Sequence, residues 1–324
     1  MGAYPVNRSG LQSLVDRFGE RLGEDIPLAR YTAARVGGPA DFLLEVNSAE
    51  ELAEASRILW AEMHPFSVLG GGSNVLVSDA GIRGVVLINR AKEIRFETRF
   101  QLPTVWAESG ANFGVVSRQA ASRGLSGLEW AAGIPGSLGG AVVGNAGAHG
   151  GDMAASLLVA DILHSDHGRE LWPVDRLGYQ YRSSVLKSSG LSGEGALAPQ
   201  SPQAVVLAAL LRLENSDPQS VQEKINDFVG YRRQTQPPGA SMGSMFKNPP
   251  GDYAGRLIEA AGLKGTRIGD AQISTLHGNF FINLGGAAAM DVYGLIQHAR
   301  RAVLERFGVR LELEVELIGE WHAE

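Results

Sequence analysis

The sequence lacks cysteine altogether. The chain therefore has no disulfide framework, no thiolate metal ligand and no cysteine nucleophile, and nothing in it requires an oxidising compartment. Histidine is scarce as well, with seven in 324 residues, and no H-E-x-x-H pattern occurs. His164 and His167 stand three apart in a polar segment typical of a turn, where a metal ion would need further ligands. We expect no metal site.

Long apolar runs are also lacking. None approaches the ~18 residues that a membrane-spanning helix needs, and the charged N-terminal segment has no apolar stretch like that of a signal peptide. The net charge of −6, with no basic stripe interleaved with aromatics, argues against nucleic acid or an anionic membrane as a partner. We expect a cytoplasmic protein with no membrane insertion and no nucleic-acid partner; a monomer is the working expectation.

What the sequence has in excess is glycine, with 42 residues that cluster without a fixed period. The length favours two or three domains, with a boundary before the helix that starts at Pro218, and the Gly/Ser/Pro-rich stretch Ser188–Gln203 is typical of an exposed loop. The predicted strands cover residues 41–46, 66–69, 75–77, 85–88, 204–213 and 310–318. The predicted helices begin after the cap Ser48, at Pro218 and at Ala289, and the last ends before Gly308.

The predicted strand 310–318 alternates strictly. Its leucines and valine face a core on one side, which leaves Glu312, Glu314 and Glu316 together on the other side. A solvated face explains three such carboxylates equally well, and the alternation alone does not select one of them for chemistry.

Two glycine-rich loops are the strongest functional signal. Leu69–Asn74 places three glycines between two strand-like runs, so backbone N–H groups can approach an anion without obstruction by Cβ atoms. Neither the dinucleotide-binding G-x-G-x-x-G spacing nor a Gly-Lys-Ser/Thr ending occurs, and a tight hairpin is the alternative. Gly133–Asn145 adds more glycines and the hydroxyl of Ser137, with a close helix–strand crossing as its alternative. Together the two loops predict a phosphate-bearing cofactor.

Seven motifs in order resemble the UDP-N-acetylenolpyruvoylglucosamine reductases, and the match runs from residue 30 to residue 319. The motifs are Val36–Ala40 (VGGPA), Leu69–Asn74 (LGGGSN), Gly133–Ser137 (GIPGS) continuing to Asn145–Gly147 (NAG), Tyr181–Ser184 (YRSS), Gly243–Pro249 (GSMFKNP), Ala260–Gly265 (AAGLKG) and Leu311–Val315 (LELEV).

The resemblance implies an α+β fold. Its FAD-binding region has two parts and is of the PCMH/vanillyl-alcohol-oxidase type, and a smaller α/β domain binds the substrate. Subdomain 1 is expected at residues 1–92, subdomain 2 at 93–214 and the substrate-binding domain at 215–318; residues 319–324 are expected to return to subdomain 1.

The resemblance also implies the reaction, that of a UDP-N-acetylmuramate dehydrogenase. In that family NADPH reduces a non-covalently bound FAD, and the reduced flavin delivers hydride to the enolpyruvyl group of UDP-N-acetylglucosamine enolpyruvate. The product is UDP-N-acetylmuramate, for peptidoglycan synthesis and hence for cell shape and division. Such chemistry requires stabilisation of an enolate and an acid to protonate the adjacent carbon.

By motif position, Ser244 matches the proton donor, Arg182 could pair with the substrate carboxylate, and Glu314 is the family's glutamate. Taken alone, Ser244 reads as a turn hydroxyl and Arg182 as half of a surface pair. The cofactor-binding residues implied are Gly70, Gly71, Gly72, Ser73, Asn74, Gly133, Ile134, Pro135, Gly136, Ser137, Gly140 and Asn145. The substrate-binding residues implied are Tyr181, Lys247, Asn248 and His277.

Two local departures qualify the resemblance. His149 precedes Gly150 where the family often has an aromatic residue, and Met245 stands where a phenylalanine is usual. Methionine is flexible and apolar, so we expect Met245 to be tolerated. No tyrosine occurs between Arg182 and Val229, which places the chain in a short-loop subclass whose substrate pocket closes differently.

Two other functions share the glycine loops. Flavin oxidases of the wider family often tether flavin through His or Cys, and the first loop has neither. A catalytically silent FAD- or UDP-sugar-binding module has no need of Arg182, Ser244 and Glu314 together. The reductase interpretation is therefore favoured.

Overall fold

The structure, a computed structural model, describes residues 8–99, 102–188 and 201–321. Most of the predicted loop Ser188–Gln203 lies outside these residues. Within them, no helix is long and apolar enough to cross a membrane.

The first unit is a four-stranded sheet in the order β1-β2-β5-β3, in which β1 is antiparallel to β2 and the other neighbours are parallel. The elements are α1 (Gln12–Phe18), β1 (Leu22–Pro27), β2 (Pro39–Val46), α2 (Ala49–Ala61), β3 (Phe66–Leu69), β4 (Val75–Val77) and β5 (Ile82–Asn89). The central strand β5 is buried at nearly every position, as expected for a parallel strand covered on both faces. The predicted strands at 66–69 and 75–77 are confirmed, and the one at 85–88 starts three residues earlier.

Helix α2 begins as predicted, because the Ser48 hydroxyl accepts the N–H of Glu51 at 3.1 Å. The second half of the expected capping box differs: the Glu51 carboxylate accepts the N–H of Asn47 and pairs with Arg21. The helix therefore has its cap, while its first-turn glutamate ties it to the preceding segments.

The second unit is a five-stranded antiparallel sheet in the order β12-β11-β13-β7-β6, with the predicted apolar strand β13 at its centre. Its core packs Phe113 edge-on against Trp130 at 5.3 Å between ring centroids. The elements are β6 (Ile94–Glu97), β7 (Thr104–Glu108), α3 (Phe113–Ala121), β8 (Leu125–Ser126), α4 (Leu138–Gly144), β9 (Gly147–Ala148), β10 (Gly151–Asp152), α5 (Met153–Ser156), β11 (Leu157–His164), β12 (Gly168–Pro173), α6 (Val185–Ser188), β13 (Ala204–Arg212) and β14 (Glu214–Asn215).

The third unit is a four-stranded antiparallel sheet in the order β15-β18-β17-β16, packed against two helices. The elements are α7 (Pro218–Thr235), β15 (Ala240–Ser244), α8 (Ala254–Ala260), β16 (Arg267–Ile268), β17 (Ala271–Ile273), β18 (Phe280–Asn283), α9 (Ala289–Phe307) and β19 (Glu316–Ile318). Helix α9 buries the predicted apolar face and ends at Gly308, whose φ of 69° suits glycine. Helix α7 instead packs Val221 and Ile225 against Ala121 and Ala132 of the second unit.

The predicted strand 310–318 is wrong for most of its length, since only Glu316–Ile318 is regular strand. The backbone of this segment bonds to two different neighbours: Glu314 N–H donates to Met245, whereas Glu316 N–H donates to Asn74. One continuous ladder is therefore impossible. Strand β19 pairs in parallel with β4, so residues 316–318 join the sheet region of the first unit.

A carboxylate of the first unit caps the long helix of the third. Asp79 accepts the N–H groups of Ala289 and Met290 through its two oxygens, at 2.8 and 2.9 Å. Nearby, the Asn283 amide donates to the Ala34 carbonyl at 2.9 Å. These polar contacts hold the third unit against the first unit, at the turn after β4 and at the segment before β2.

We predict that Asp79→Ala lowers the free energy of unfolding by about 1–2 kcal/mol, because two N–H groups at the start of α9 lose their acceptor. Urea denaturation monitored by circular dichroism measures the change. Asp227→Ala, which removes an exposed carboxylate on α7, is the matched control; an equal loss in both variants would contradict the capping role.

Candidate active site

The three units enclose one cleft of about 640 Å³. Both glycine-rich loops line it, and so do the three residues matched to catalytic positions. The predicted site residues that line the cleft are Gly70, Gly71, Gly72, Ser73, Asn74, Ile134, Pro135, Gly136, Ser137, Gly140, Arg182, Ser244 and Glu314. Residues from five separate segments of the chain thus converge on one space.

The first glycine loop is not a hairpin. Strand β3 before it pairs with β5, whereas β4 after it pairs with β19, so the loop crosses between two sheets. Gly72 has a φ of 58°, and a Cβ there would lie 2.2 Å from the Tyr31 carbonyl oxygen. Gly70 is equally constrained, because its Cβ would lie 2.1 Å from the Ser137 hydroxyl. The glycines allow the loop to pack against its neighbours.

The second loop packs directly on the first. Ser73 donates its hydroxyl to the Pro135 carbonyl at 3.2 Å, and a Cβ on Gly136 would lie 2.6 Å from that same hydroxyl oxygen. Ser137 caps α4. The close packing that the sequence allowed as an alternative is also present at Gly139 of α4, where a Cβ would lie 2.9 Å from Ser109 Cβ.

Two predicted cofactor residues are absent from the described lining of the cleft. Asn145 ends α4 in the left-handed conformation, with a φ of 44°, and its amide donates to the Gln180 carbonyl. Gly133 lies behind the wall, where a Cβ would come within 2.6 Å of Arg232 Cδ. Both support the loop around the cleft.

The lining of the cleft fits FAD in its chemistry. It combines apolar side chains of β3 and β13, including Phe66, Val68 and Val205, with the backbones of two glycine loops and with charged groups. FAD carries flat ring systems and a diphosphate, and a ligand of that kind needs both apolar surface and polar groups. Backbone N–H groups of glycine-rich loops are suited to a diphosphate.

Arg182 and Glu314 both line the cleft and form an ion pair, with 2.9 Å between Nε and Oε1. The N–H of Nε is not aligned on that oxygen, so within the described chain this buried nitrogen has no hydrogen-bond partner. Nη1 donates to the Gly147 carbonyl at 3.3 Å. Arg182 itself adopts the left-handed conformation, with a φ of 56°, which is unusual outside glycine and characteristic of functional sites.

Burial governs the electrostatics of Glu314, of which 15% of the side chain is exposed. Burial raises the pKa of its carboxyl above the ordinary value, and the charges of Arg182, Lys187 and Lys247 oppose that rise. Asn74 binds the carbonyl of Glu314 through its amide at 3.1 Å. Glu314 is thus held by the first glycine loop, and the solvated-face explanation does not apply to it. Glu312, by contrast, is 74% exposed.

Ser244 ends β15, next to Gly243 with its φ of 77°. The register of β15 against β18 shifts between Ser241 and Ser244, so the strand is irregular just before Ser244. Met245 points away from the cleft and is fully buried in the third unit. That orientation fits the expectation that methionine is tolerated there.

The four predicted substrate residues lie outside the described lining of the cleft. Tyr181 is 58% exposed beside Arg182, and Lys247 pairs with Glu312 at 3.6 Å. Asn248 accepts the N–H of Ala254. His277 accepts the N–H of Asn279, and its pKa is lowered by burial and then by the charge of Lys264.

The sequence analysis missed several polar side chains that line the cleft: His149, Lys187, Tyr231, Arg232, Gln236 and Glu316. Arg232 donates to Gln236 at 2.8 Å, and burial together with nearby Arg182 lowers its pKa. His149 stacks on Phe228 with 4.2 Å between ring centroids. The segment 231–236 (YRRQTQ), just before the serine motif, is rich in basic and amide residues. It was the sequence signal from which Arg232 and Gln236 could have been predicted as part of the cleft.

Profiles of two protein families match the chain. One, described as a FAD binding domain, matches residues 40–166. The other, described as the C-terminal domain of UDP-N-acetylenolpyruvoylglucosamine reductase, matches residues 234–318. The two matches cover, respectively, both glycine loops and the segment that carries Ser244 and Glu314.

Whole-length relatives agree with these profiles. UDP-N-acetylenolpyruvoylglucosamine reductase from Chloroflexus aggregans is 44% identical over 90% of this chain and 96% of its own. The protein of the same name from Rubrobacter xylanophilus is 47% identical over 91% of this chain and 95% of its own. The crystal structure of UDP-N-acetylenolpyruvylglucosamine reductase from Thermus caldophilus superposes with a TM-score of 0.75 at 36% identity, covering 92% of this chain and 98% of that one. The α+β fold class, with an FAD-binding region followed by a separate C-terminal domain, is confirmed.

We predict that Gly72→Ala weakens FAD binding at least about tenfold. A left-handed alanine costs roughly 1–2 kcal/mol, and its Cβ must also move away from the Tyr31 carbonyl, which displaces the loop. Titration of the apoprotein with FAD, monitored by flavin fluorescence, measures the affinity. Gly230→Ala, which has open space around its Cβ, is the control; equal affinities in both variants would contradict the role of Gly72.

Proposed function

The chain belongs to the UDP-N-acetylenolpyruvoylglucosamine reductase family, which makes it an FAD-dependent oxidoreductase of peptidoglycan precursor synthesis, and we propose that Arg182, Ser244 and Glu314 carry its reaction. The substrate is UDP-N-acetylglucosamine enolpyruvate and the product UDP-N-acetylmuramate. One observation carries the proposed roles: both glycine loops and these three side chains line a single cleft.

The glycine loops would hold FAD in this cleft. Gly70–Asn74 and Ile134–Ser137 would face the diphosphate, and the apolar surface between β3 and β13 would receive a ring. Hydride uptake from NADPH and hydride delivery to the substrate alkene are the chemistry that FAD supplies when bound. The protein contributes orientation, charge and a proton.

Arg182 and Glu314 would bind and stabilise the enolate. Hydride addition to one alkene carbon leaves negative charge delocalised onto the neighbouring carboxylate, and the guanidinium supplies permanent positive charge beside it. The buried Nε of Arg182, which has no aligned acceptor among the described residues, is suited to a substrate oxygen. Glu314 would keep the guanidinium oriented through the 2.9 Å ion pair.

Ser244 would protonate the carbon next to the one that receives hydride. A hydroxyl is a weak acid, so its position must compensate for its high pKa. It lies half-buried at the end of β15, where the adjacent Gly243 turns the backbone into the cleft wall. After the transfer, the serine regains its proton from solvent.

The remaining substrate contacts divide into two groups. Tyr181 and Lys247 flank the catalytic residues in sequence and have side chains that can reach sugar and diphosphate oxygens. Asn248 and His277 already accept backbone N–H groups, so their proposed role is to shape the segments that carry the contacts. With no tyrosine between Arg182 and Val229, the wall formed by His149 and Tyr231 is proposed to close the short-loop pocket.

We further propose the division into units at 1–92, 93–214 and 215–318. The pairing of β19 with β4 suggests that the return to the first unit starts at Glu316. A cytoplasmic monomer without a nucleic-acid partner is proposed on the acidic charge and the absence of cysteine in the sequence.

Spectroscopy of the purified protein tests this function. It should be yellow, or become yellow on addition of FAD, and under anaerobic conditions its oxidation of NADPH beyond one equivalent per FAD should require the enolpyruvyl substrate. A protein that stays colourless with added FAD, or that turns over NADPH equally without the substrate, would contradict the proposal.

We predict that Ser244→Ala retains reduction of FAD by NADPH but slows reoxidation by the substrate about 10²–10⁴-fold, the usual contribution of a positioned acid. Stopped-flow absorbance at the flavin band separates the two half-reactions. Ser241→Ala, three residues earlier on the same strand, is the control. Parallel loss of both half-reactions would contradict the proton-donor role.

A further inference from the structure

A second ion pair lies beside Arg182 and Glu314. Lys187 Nζ is 3.1 Å from Glu316 Oε1, and both side chains are largely buried, with 17% and 27% exposed. All four residues line the cleft. Two cations and two carboxylates therefore share the lining of the proposed active site, and the proposed reaction assigns no role to the second pair.

The two pairs join the same two chain segments. Arg182 and Lys187 lie on the turn before α6 and on α6 itself, whereas Glu314 and Glu316 stand two residues apart on the segment that enters β19. Side chains two apart on an extended backbone lie on the same side. Lys187 is close enough to Glu314 to act on its pKa, second only to Arg182 among the cations. The exchanged pairing, Arg182 with Glu316 and Lys187 with Glu314, is therefore a real alternative.

The backbone of the segment 314–316 is held by hydrogen bonds at both of its glutamates. The Asn74 amide binds the Glu314 carbonyl, and the Asn74 carbonyl accepts the Glu316 N–H. The carboxylates therefore start from fixed positions, and which cation each one meets depends on charge pairing.

We propose that Lys187 and Glu316 are positioning residues, which by pairing with each other keep Arg182 and Glu314 together at the reaction site. Glu316 occupies Lys187, which would otherwise compete with Arg182 for Glu314. Lys187 occupies Glu316, which would otherwise compete with Glu314 for Arg182. The inference rests on the proposed function, since it concerns the reduction of the enolpyruvyl substrate.

Other charged groups around the wall have different partners. Lys247 pairs with Glu312, whose side chain is 74% exposed, and Arg232 binds Gln236. Burial, and after it the charge of Arg182, lowers the pKa of Arg232. These groups stay in place when Lys187 and Glu316 are both neutralised, so the double change tests the pair itself.

The experiment compares Lys187→Met, Glu316→Gln and the double variant with the wild-type holoenzyme. Stopped-flow absorbance follows FAD reduction by NADPH and reoxidation by UDP-N-acetylglucosamine enolpyruvate, and titration of the oxidised enzyme with that substrate gives its affinity from the change in the flavin spectrum. Lys224→Met, which breaks the 3.7 Å pair with Glu129 outside the cleft, is the matched control.

Each single variant should slow reoxidation by about tenfold and weaken substrate binding, because a misplaced guanidinium loses its alignment. Reduction by NADPH and the control should stay at wild-type rates. The double variant should recover to within about threefold of wild type, since no competing charge remains. A simple structural role predicts the opposite, a double variant at least as impaired as the worse single one.

Three results would overturn the proposal: a double variant without recovery, parallel loss of both half-reactions in the single variants, or single variants that match the wild type in both reoxidation and substrate binding. Failure of the proposed function is distinguishable from all three, because then the wild-type enzyme itself would not be reoxidised by the substrate.

Discussion

The side chain and backbone of Asn74 are the constraint on which the site depends. The amide donates to the Glu314 carbonyl, and the carbonyl accepts the N–H of Glu316, across 240 residues of sequence. The first glycine loop is thereby fixed to the segment that carries Glu314, and both line the cleft. Because both bonds are to backbone groups, the geometry does not depend on the freedom of long side chains.

The remaining parts of the site are arranged around that tie. The second glycine loop packs on the first through Ser73 and Pro135, and it leads through α4 to Asn145, whose amide holds the segment before Arg182. Arg182 completes the circuit by meeting Glu314. Loop, helix, turn and strand form a closed ring of contacts around the cleft, so cofactor binding and charge placement are mechanically connected.

The sequence was sufficient for much of the fold. Helix α9 followed from apolar periodicity, because it buries one continuous face in a single unit. Strand β3 followed from a short apolar run bounded by turn residues. Periodicity failed at 310–318, where the side chains alternate as in a strand but the backbone bonds to two partners in turn. Alternation reports side-chain burial and carries no information about which strand accepts each N–H group.

The same distinction applies to the site. Glycine clusters and motif order indicated the loops, whereas Lys187, Arg232 and Glu316 were missed because an isolated charge in sequence is indistinguishable from a solvated one. Asn145 and Gly133 were predicted to bind the cofactor but lie outside the described lining of the cleft. Residues within a binding motif can thus support the wall of a cleft without lining it.

Strand β4 has a consequence for how the protein is made. Its parallel partner β19 lies far along the chain, so during synthesis from the N-terminus β4 has an unsatisfied edge until residues 316–318 have been added. Contacts so distant in sequence form slowly, and exposed strand edges invite pairing with other chains. An intermediate without residues 316–318 therefore exposes the edge of β4, and the contacts that Asn74 makes with Glu314 and Glu316 form only after that segment has been synthesised.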